Sequence, residues 1–288
     1  MGKVSLSGNL PTLIFVAACG CVAFAFRERL KLNLKYESSP VDWCEENYAV
    51  VPWIAEFWNA VSSFAIGIPA VVGWTIYSKT TFENHEPNMY ILWLSNSIVS
   101  IGSIYFHGTL SIAGQVLDEL PIVILSSYSM FVLYPLNTWQ SLRRRAVLFS
   151  WQSLVCVTLC LCLAGMLVPE LSHAVCVSMM PIVLVTYSVQ FHRCQKKPWK
   201  MFISTVCIFG LALAAWLVDK FACESAVSFS VSTFGFYVQL HALWHLLISA
   251  TLWMTIMTGA CIRLVGDKVD FAVGSDKVTG LIPVVYAV

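Results

Sequence analysis

The chain has 288 residues, 58% hydrophobic and 11% charged, with a formal net charge of +1. Soluble domains carry roughly 25% charged residues, so this composition excludes an ordinary soluble globule and a disordered chain. The charge balance leaves no basic footprint for nucleic acid, and 11 cysteines are too sparse for a small disulfide scaffold.

The first apolar run is LPTLIFVAACGCVAFAF at 10–26, followed by Arg27, Arg29, Lys31 and Lys35. With Lys3 ahead of it and Ala23-Phe24-Ala25 at its end, it reads as a signal peptide or as an additional span. A polar segment, 27–56, comes next. A transmembrane helix needs about 20 mostly apolar residues, and seven stretches qualify, at 57–78, 89–110, 119–138, 146–168, 174–190, 201–218 and 237–261. The breaks include SIAGQVLD at 111–118 and PELSH at 169–173, and a longer segment starts at Asp219. The expected fold is an all-α membrane protein, a seven-transmembrane helix bundle over 57–261. A tail follows at 262–288.

Basic residues give the orientation. The loops on the side away from residue 56 carry Lys79, Arg143, Arg144, Arg145, Arg193, Lys196, Lys197 and Lys200. The tail adds Arg263, Lys268 and Lys277. The opposite loops between spans carry only Lys220. This asymmetry predicts a cytosolic C-terminus and places 27–56 in a lumen or outside the cell.

Ionisable groups inside an apolar bundle are costly, and each is a functional candidate by default. The spans and their edges hold Glu56, His107, Asp118, Glu119, His241 and His245. Starts of odd spans and ends of even spans share one side, so all six gather on the lumenal half. His241 and His245 are four apart on one helix face. Alone, the pair reads as two interfacial histidines bonded to backbone. A third intramembrane imidazole, His107, together with Asp118, moves the reading towards a zinc site with an open fourth position, which is the catalytic type. Ser103, one turn before His107, reaches the same cavity or packs against its own helix. Asp118 reads as the N-cap of the third span, with Glu119 in its first turn. His85, His173 and His192 read as solvated loop residues.

The cluster Asp42, Glu45, Glu46 and Asn47, with Glu56 nine residues later, offers hard oxygen ligands of the kind calcium takes. From spacing alone a solvated acidic loop with Asp42 and Glu45 in a capping box is the simpler reading. Cys44 and Cys223 both fall in lumenal segments, where a bridge would tie the N-terminal segment to the loop before the last span.

Five pieces together resemble the alkaline ceramidases: VDWCEENY (41–48) with AEFWN (55–59), GSIYFHGTL (102–110), LDELP (117–121), WLVDKFACE (216–224) and LHALWH (240–245). They occur in family order over most of the chain. The resemblance implies a seven-span zinc amidohydrolase that cleaves the amide of ceramide with a zinc-activated water. It further implies zinc on His107, His241 and His245, with catalytic roles for Asp118 and Ser103. Calcium would bind Asp42, Trp43 (through its carbonyl), Glu45, Asn47 and Glu56, and Cys44–Cys223 would be a disulfide. The expected setting is the endoplasmic reticulum or Golgi membrane, or the plasma membrane, with ceramide as the partner and no protein partner implied. The alternative is a zinc-containing lipid receptor of the adiponectin and progestin receptor type.

Overall fold

The computed structural model describes residues 36–76, 89–133, 157–161, 164, 167–194, 198–266, 271–275 and 283–287. Seven named helices lie within them: α1 (Phe57–Ile76), α2 (Met89–Thr109), α3 (Ile112–Leu133), α4 (Pro169–Arg193), α5 (Trp199–Phe221), α6 (Cys223–Phe234) and α7 (Leu240–Gly266). Six of the seven expected spans coincide with helices. The fourth lies mostly, and the run at 10–26 entirely, outside the described residues. Residues 57–75, 171–192, 199–221 and 240–262 are long and apolar enough to cross a membrane.

Apolar stripes face outward and polar groups face inward. Phe64, Ile68 and Val71 line one exposed flank of α1, spaced to share a helix face. On the opposite flank, Asn59 and Ser63 are fully buried. Helices α1 and α2 are stitched together by Asn96 Nδ2 donating to the Ile66 carbonyl (2.8 Å) and Ser100 Oγ donating to that of Ser63 (2.9 Å). A bundle in lipid uses such bonds where apolar burial drives nothing. α2 also packs on α3, α3 on α4, and α7 on both α1 and α5. The core is built around Trp93 stacked on Trp253, with Ile256 and Met257.

Two expected breaks are helical instead. α3 begins at Ile112, so only Leu110 and Ser111 separate it from α2, and Leu110 takes a positive φ of 45° to make the turn. Asp118 is therefore not an N-cap, and Glu119 is not in a first turn. Their polarity suggested a loop, but it serves bonds inside the bundle. Likewise α4 starts at Pro169, the residue suited to a first helical position, so PELSH is its opening turn. His173 and His192 lie on α4 rather than in loops. The segment after Asp219 holds α6, closed by Gly235 in the left-handed conformation (φ 79°).

The all-helical expectation also omits a hairpin. β1 (Phe271–Ser275) pairs antiparallel with β2 (Pro283–Ala287). Val285 is fully buried in the same core as Met257. The hairpin is thus packed onto the bundle.

Candidate metal centre

His107, at the C-terminal end of α2, meets His241 and His245 from the first turns of α7. One ligand nitrogen from each lies within 4.8 Å of the others, and all three residues are buried. The ring centroids are 5.0, 5.0 and 4.7 Å apart. Among the described residues this is the single set of three or more His, Cys, Asp or Glu side chains that converges so closely. The triad read from the sequence is thus assembled as expected.

Each ring is presented in a defined way. His107 Nδ1 lies 2.5 Å from Glu56 Oε2, and with the ring as donor to an ionised Glu56 this bond leaves Nε2 its lone pair for a metal. Ser62 donates its hydroxyl to the Asn59 carbonyl, and its oxygen lies 2.8 Å from His245 Nδ1. That oxygen accepts the ring N–H and leaves Nε2 free as well. His241 keeps a buried Nδ1 with no hydrogen-bond partner. Partners of this kind on the far ring nitrogen orient imidazoles for a metal. Three buried nitrogen donors, two held by second partners and one orphaned, fit a divalent cation.

Ser103 and Asp118 reach the same place from α2 and α3. The Ser103 hydroxyl donates to the Asp118 carboxylate, and Ser63 Oγ lies 3.1 Å from Ser103 Oγ. Their meeting depends on a close helix approach: a Cβ at Gly102 would stand 2.0 Å from the Leu117 carbonyl oxygen. Ser103, Asp118, His241 and His245 line one cavity of about 210 Å³. It extends through the bundle past Ile122, Leu184 and Thr255. Its walls are chiefly apolar.

The acidic cluster lies beside the triad and is already well bonded. Glu45 is not a member of a local capping box. Its carboxylate accepts from the backbone N–H groups of Trp58 (2.7 Å) and Asn59 (2.9 Å), capping α1 from outside. Glu56 accepts from the Trp43 backbone N–H at Oε1 (3.1 Å) and from Asn59 Nδ2 at Oε2 (3.2 Å). Asp42 and Asn47 are exposed and pair with each other, Asn47 Nδ2 lying 3.3 and 3.2 Å from the two Asp42 oxygens. Burial pushes the Glu56 carboxyl up to about 9 and also raises that of Glu45. The Trp43 indole stacks on His241 at 3.8 Å between centroids.

Cys44 and Cys223 form a disulfide, with Cα atoms 5.4 Å apart. Beside it stands Asp219, whose importance the sequence reading missed. It is buried and accepts from the backbone N–H of Cys44 (3.1 Å) and of His241 (3.2 Å), and from the Tyr237 hydroxyl (2.9 Å). It caps the helix that carries two of the imidazoles. The one cue was an acid at the end of the apolar run AAWLVD.

A family model described as Ceramidase matches residues 35–278. The chain belongs to the ceramidase family. It is 29% identical to "Alkaline ceramidase" of Drosophila melanogaster over 75% of this chain and 74% of that protein. It is 29% identical to "Alkaline ceramidase 3" of Mus musculus, over 76% and 82% of the two chains. The figure is again 29% for "Alkaline ceramidase 1" of Homo sapiens, over 79% and 84%. The family match favours the hydrolase reading over the receptor-type alternative.

Proposed function

We propose that this chain is a seven-span membrane ceramidase that hydrolyses the amide of ceramide to a sphingoid base and a fatty acid, with zinc held by His107, His241 and His245. The observation that carries this reading is the meeting of three buried imidazoles at a long apolar cavity in a member of the ceramidase family. Bound there, zinc supplies a Lewis acid for the amide carbonyl and lowers the pKa of a water towards about 7.

The remaining chemistry belongs to the protein. Asp118 takes the proton of the attacking water and returns it to the leaving amine as the C–N bond breaks. Ser103, already hydrogen-bonded beside Asp118, turns its hydroxyl to the oxygen of the developing tetrahedral centre. The apolar walls take an alkyl chain and keep bulk water from the amide.

Asp42, the Trp43 carbonyl, Glu45, Asn47 and Glu56 are the proposed ligands of a calcium ion. Two of these carboxyls are raised by burial, and a hard cation would supply the missing countercharge. The basic-residue asymmetry supports a lumenal site and a cytosolic C-terminus, in the endoplasmic reticulum, the Golgi or the plasma membrane.

The test is turnover of fluorescent ceramide by the detergent-purified full-length protein, with metal content measured in parallel. We expect one zinc per chain, turnover lost on chelation and restored by zinc, and loss of both in His241→Ala. Turnover indifferent to zinc removal, or none on ceramides of any chain length, would overturn the proposal.

A further inference from the structure

A second polar device faces the same cavity and has no part in the chemistry above. His173, on the opening turns of α4, places Nδ1 2.7 Å from Glu119 Oε1 on α3. The other Glu119 oxygen accepts from Gln115 Nε2 (3.1 Å), and Gln115 Oε1 accepts from the Ser39 hydroxyl (2.9 Å). Glu119 and Gln115 are buried, and His173 is 23% exposed. The chain Ser39–Gln115–Glu119–His173 thus runs from the N-terminal segment to the cavity wall, where Glu119 and His173 both lie.

The His173 ring is fixed on its faces as well. It lies 6.1 Å from the Trp43 ring, edge-on, and 6.2 Å from Trp216, stacked, between centroids. Trp43 in turn stacks on His241, so His173 stands one aromatic ring away from the triad and is not a member of it. Glu119 holds Nδ1, which leaves Nε2 without a protein partner among the described residues. Burying two polar side chains, Gln115 and Glu119, to hold a ring that does nothing would be costly. Held on a cavity wall, an imidazole nitrogen pairs with a hydroxyl as acceptor or donor.

We infer that His173 is a specificity-determining residue that hydrogen-bonds a hydroxyl of the substrate through Nε2, with Glu119 and Gln115 as positioning residues. This rests on the ceramidase reading and names what part of the substrate is recognised. Ceramide carries two hydroxyls, each on a carbon next to the one bearing the amide nitrogen. Both hydroxyls are thus within a few bonds of the amide, and His173 lines the same cavity one aromatic ring from the triad. A site built to bond a hydroxyl rejects the analogue that lacks it, because the polar group of the protein is then left unpaired.

The experiment compares kcat/KM for ceramide, its 1-deoxy analogue and its 3-deoxy analogue, all with one acyl chain, in the full-length protein and its variants. The unaltered protein should prefer ceramide to one analogue by about tenfold or more, and that analogue names the hydroxyl. His173→Phe should lower kcat/KM on ceramide by about tenfold and leave the rejected analogue unchanged, so the preference disappears. Glu119→Leu, which leaves the imidazole in place without its acceptor, should do the same, and Glu119→Gln, which keeps an acceptor, should not. A preference preserved in His173→Phe and Glu119→Leu overturns the inference. So does an equal loss on all three substrates, which marks a structural role. Absence of turnover by the unaltered protein on every ceramide defeats the ceramidase reading itself.

Discussion

Glu56 joins two parts of the molecule with one carboxylate: Oε1 accepts the backbone N–H of Trp43, and Oε2 accepts Nδ1–H of His107. The segment that carries the acidic cluster is thereby coupled to an imidazole of the triad. Glu56→Ala should therefore lower zinc affinity about 10–100-fold, the usual cost of losing such an orienting partner, and weaken any calcium response as well. Metal titration of the purified variant checks this. Zinc affinity equal to the unaltered protein would mean that His107 is held by other contacts.

Asp118 does not belong to the converging set of ligand atoms. Asp118→Asn should lower turnover by about 10²–10⁴-fold while zinc content stays near one per chain. Parallel elemental analysis and activity decide the matter. Loss of the metal from the variant would make the aspartate a ligand instead of a base.

The raised carboxyls of Glu56 and Glu45 predict a pH effect on the metal-free protein. Their ordinary value is about 4.5, and burial holds Glu56 at about 9. Without metal the folded Glu56 carboxyl keeps its proton, shared with His107 Nδ1 across their contact, while the unfolded chain has released it, so stability falls as pH rises from about 4.5 to about 9. Thermal unfolding in chelator should show its midpoint dropping across that window. Glu56→Gln should flatten the drop, and added calcium should oppose it.

Gly102 is where α2 and α3 touch, with the Leu117 carbonyl 2.0 Å from the position of an added Cβ. Gly102→Ala must push the helices apart and should cost about 1–3 kcal/mol, as overpacking does. The displaced pair is Ser103 and Asp118, so turnover should drop more than stability does. An alanine variant with normal melting and normal turnover would show that the contact relaxes freely.

The disulfide closes a sequence separation of 179 residues. Cys44→Ser should destabilise the protein by about 2–4 kcal/mol, and reductant should have the same effect on the unaltered chain but none on the variant. Because Cys44 also donates its backbone N–H to Asp219, which caps α7 at His241, turnover should decline along with the melting temperature.

The apolar runs that became α1, α2, α5 and α7 were legible because each repeats one chemistry over about 20 residues. His107, His241 and His245 stood out against that background, and their common depth followed from counting spans. Helix starts at Ile112 and Pro169 were not legible, because hydropathy weighs a residue by its own chemistry and not by its partner. Glu119 and His173 each suggest solvent when read alone. Facing each other at 2.7 Å, they satisfy one another inside the bundle.

By itself the chain determined that it must live among lipid, which residues had to be hidden from that lipid, and which family it resembles. All three depend on composition and on short motifs. Only the tertiary structure decided how those hidden groups are shared out: Glu45 capping α1, Asp219 capping α7, Glu56 on His107, and Glu119 on His173. Each of these bonds joins residues from different elements, and a buried polar group takes its role from the donor or acceptor it meets there.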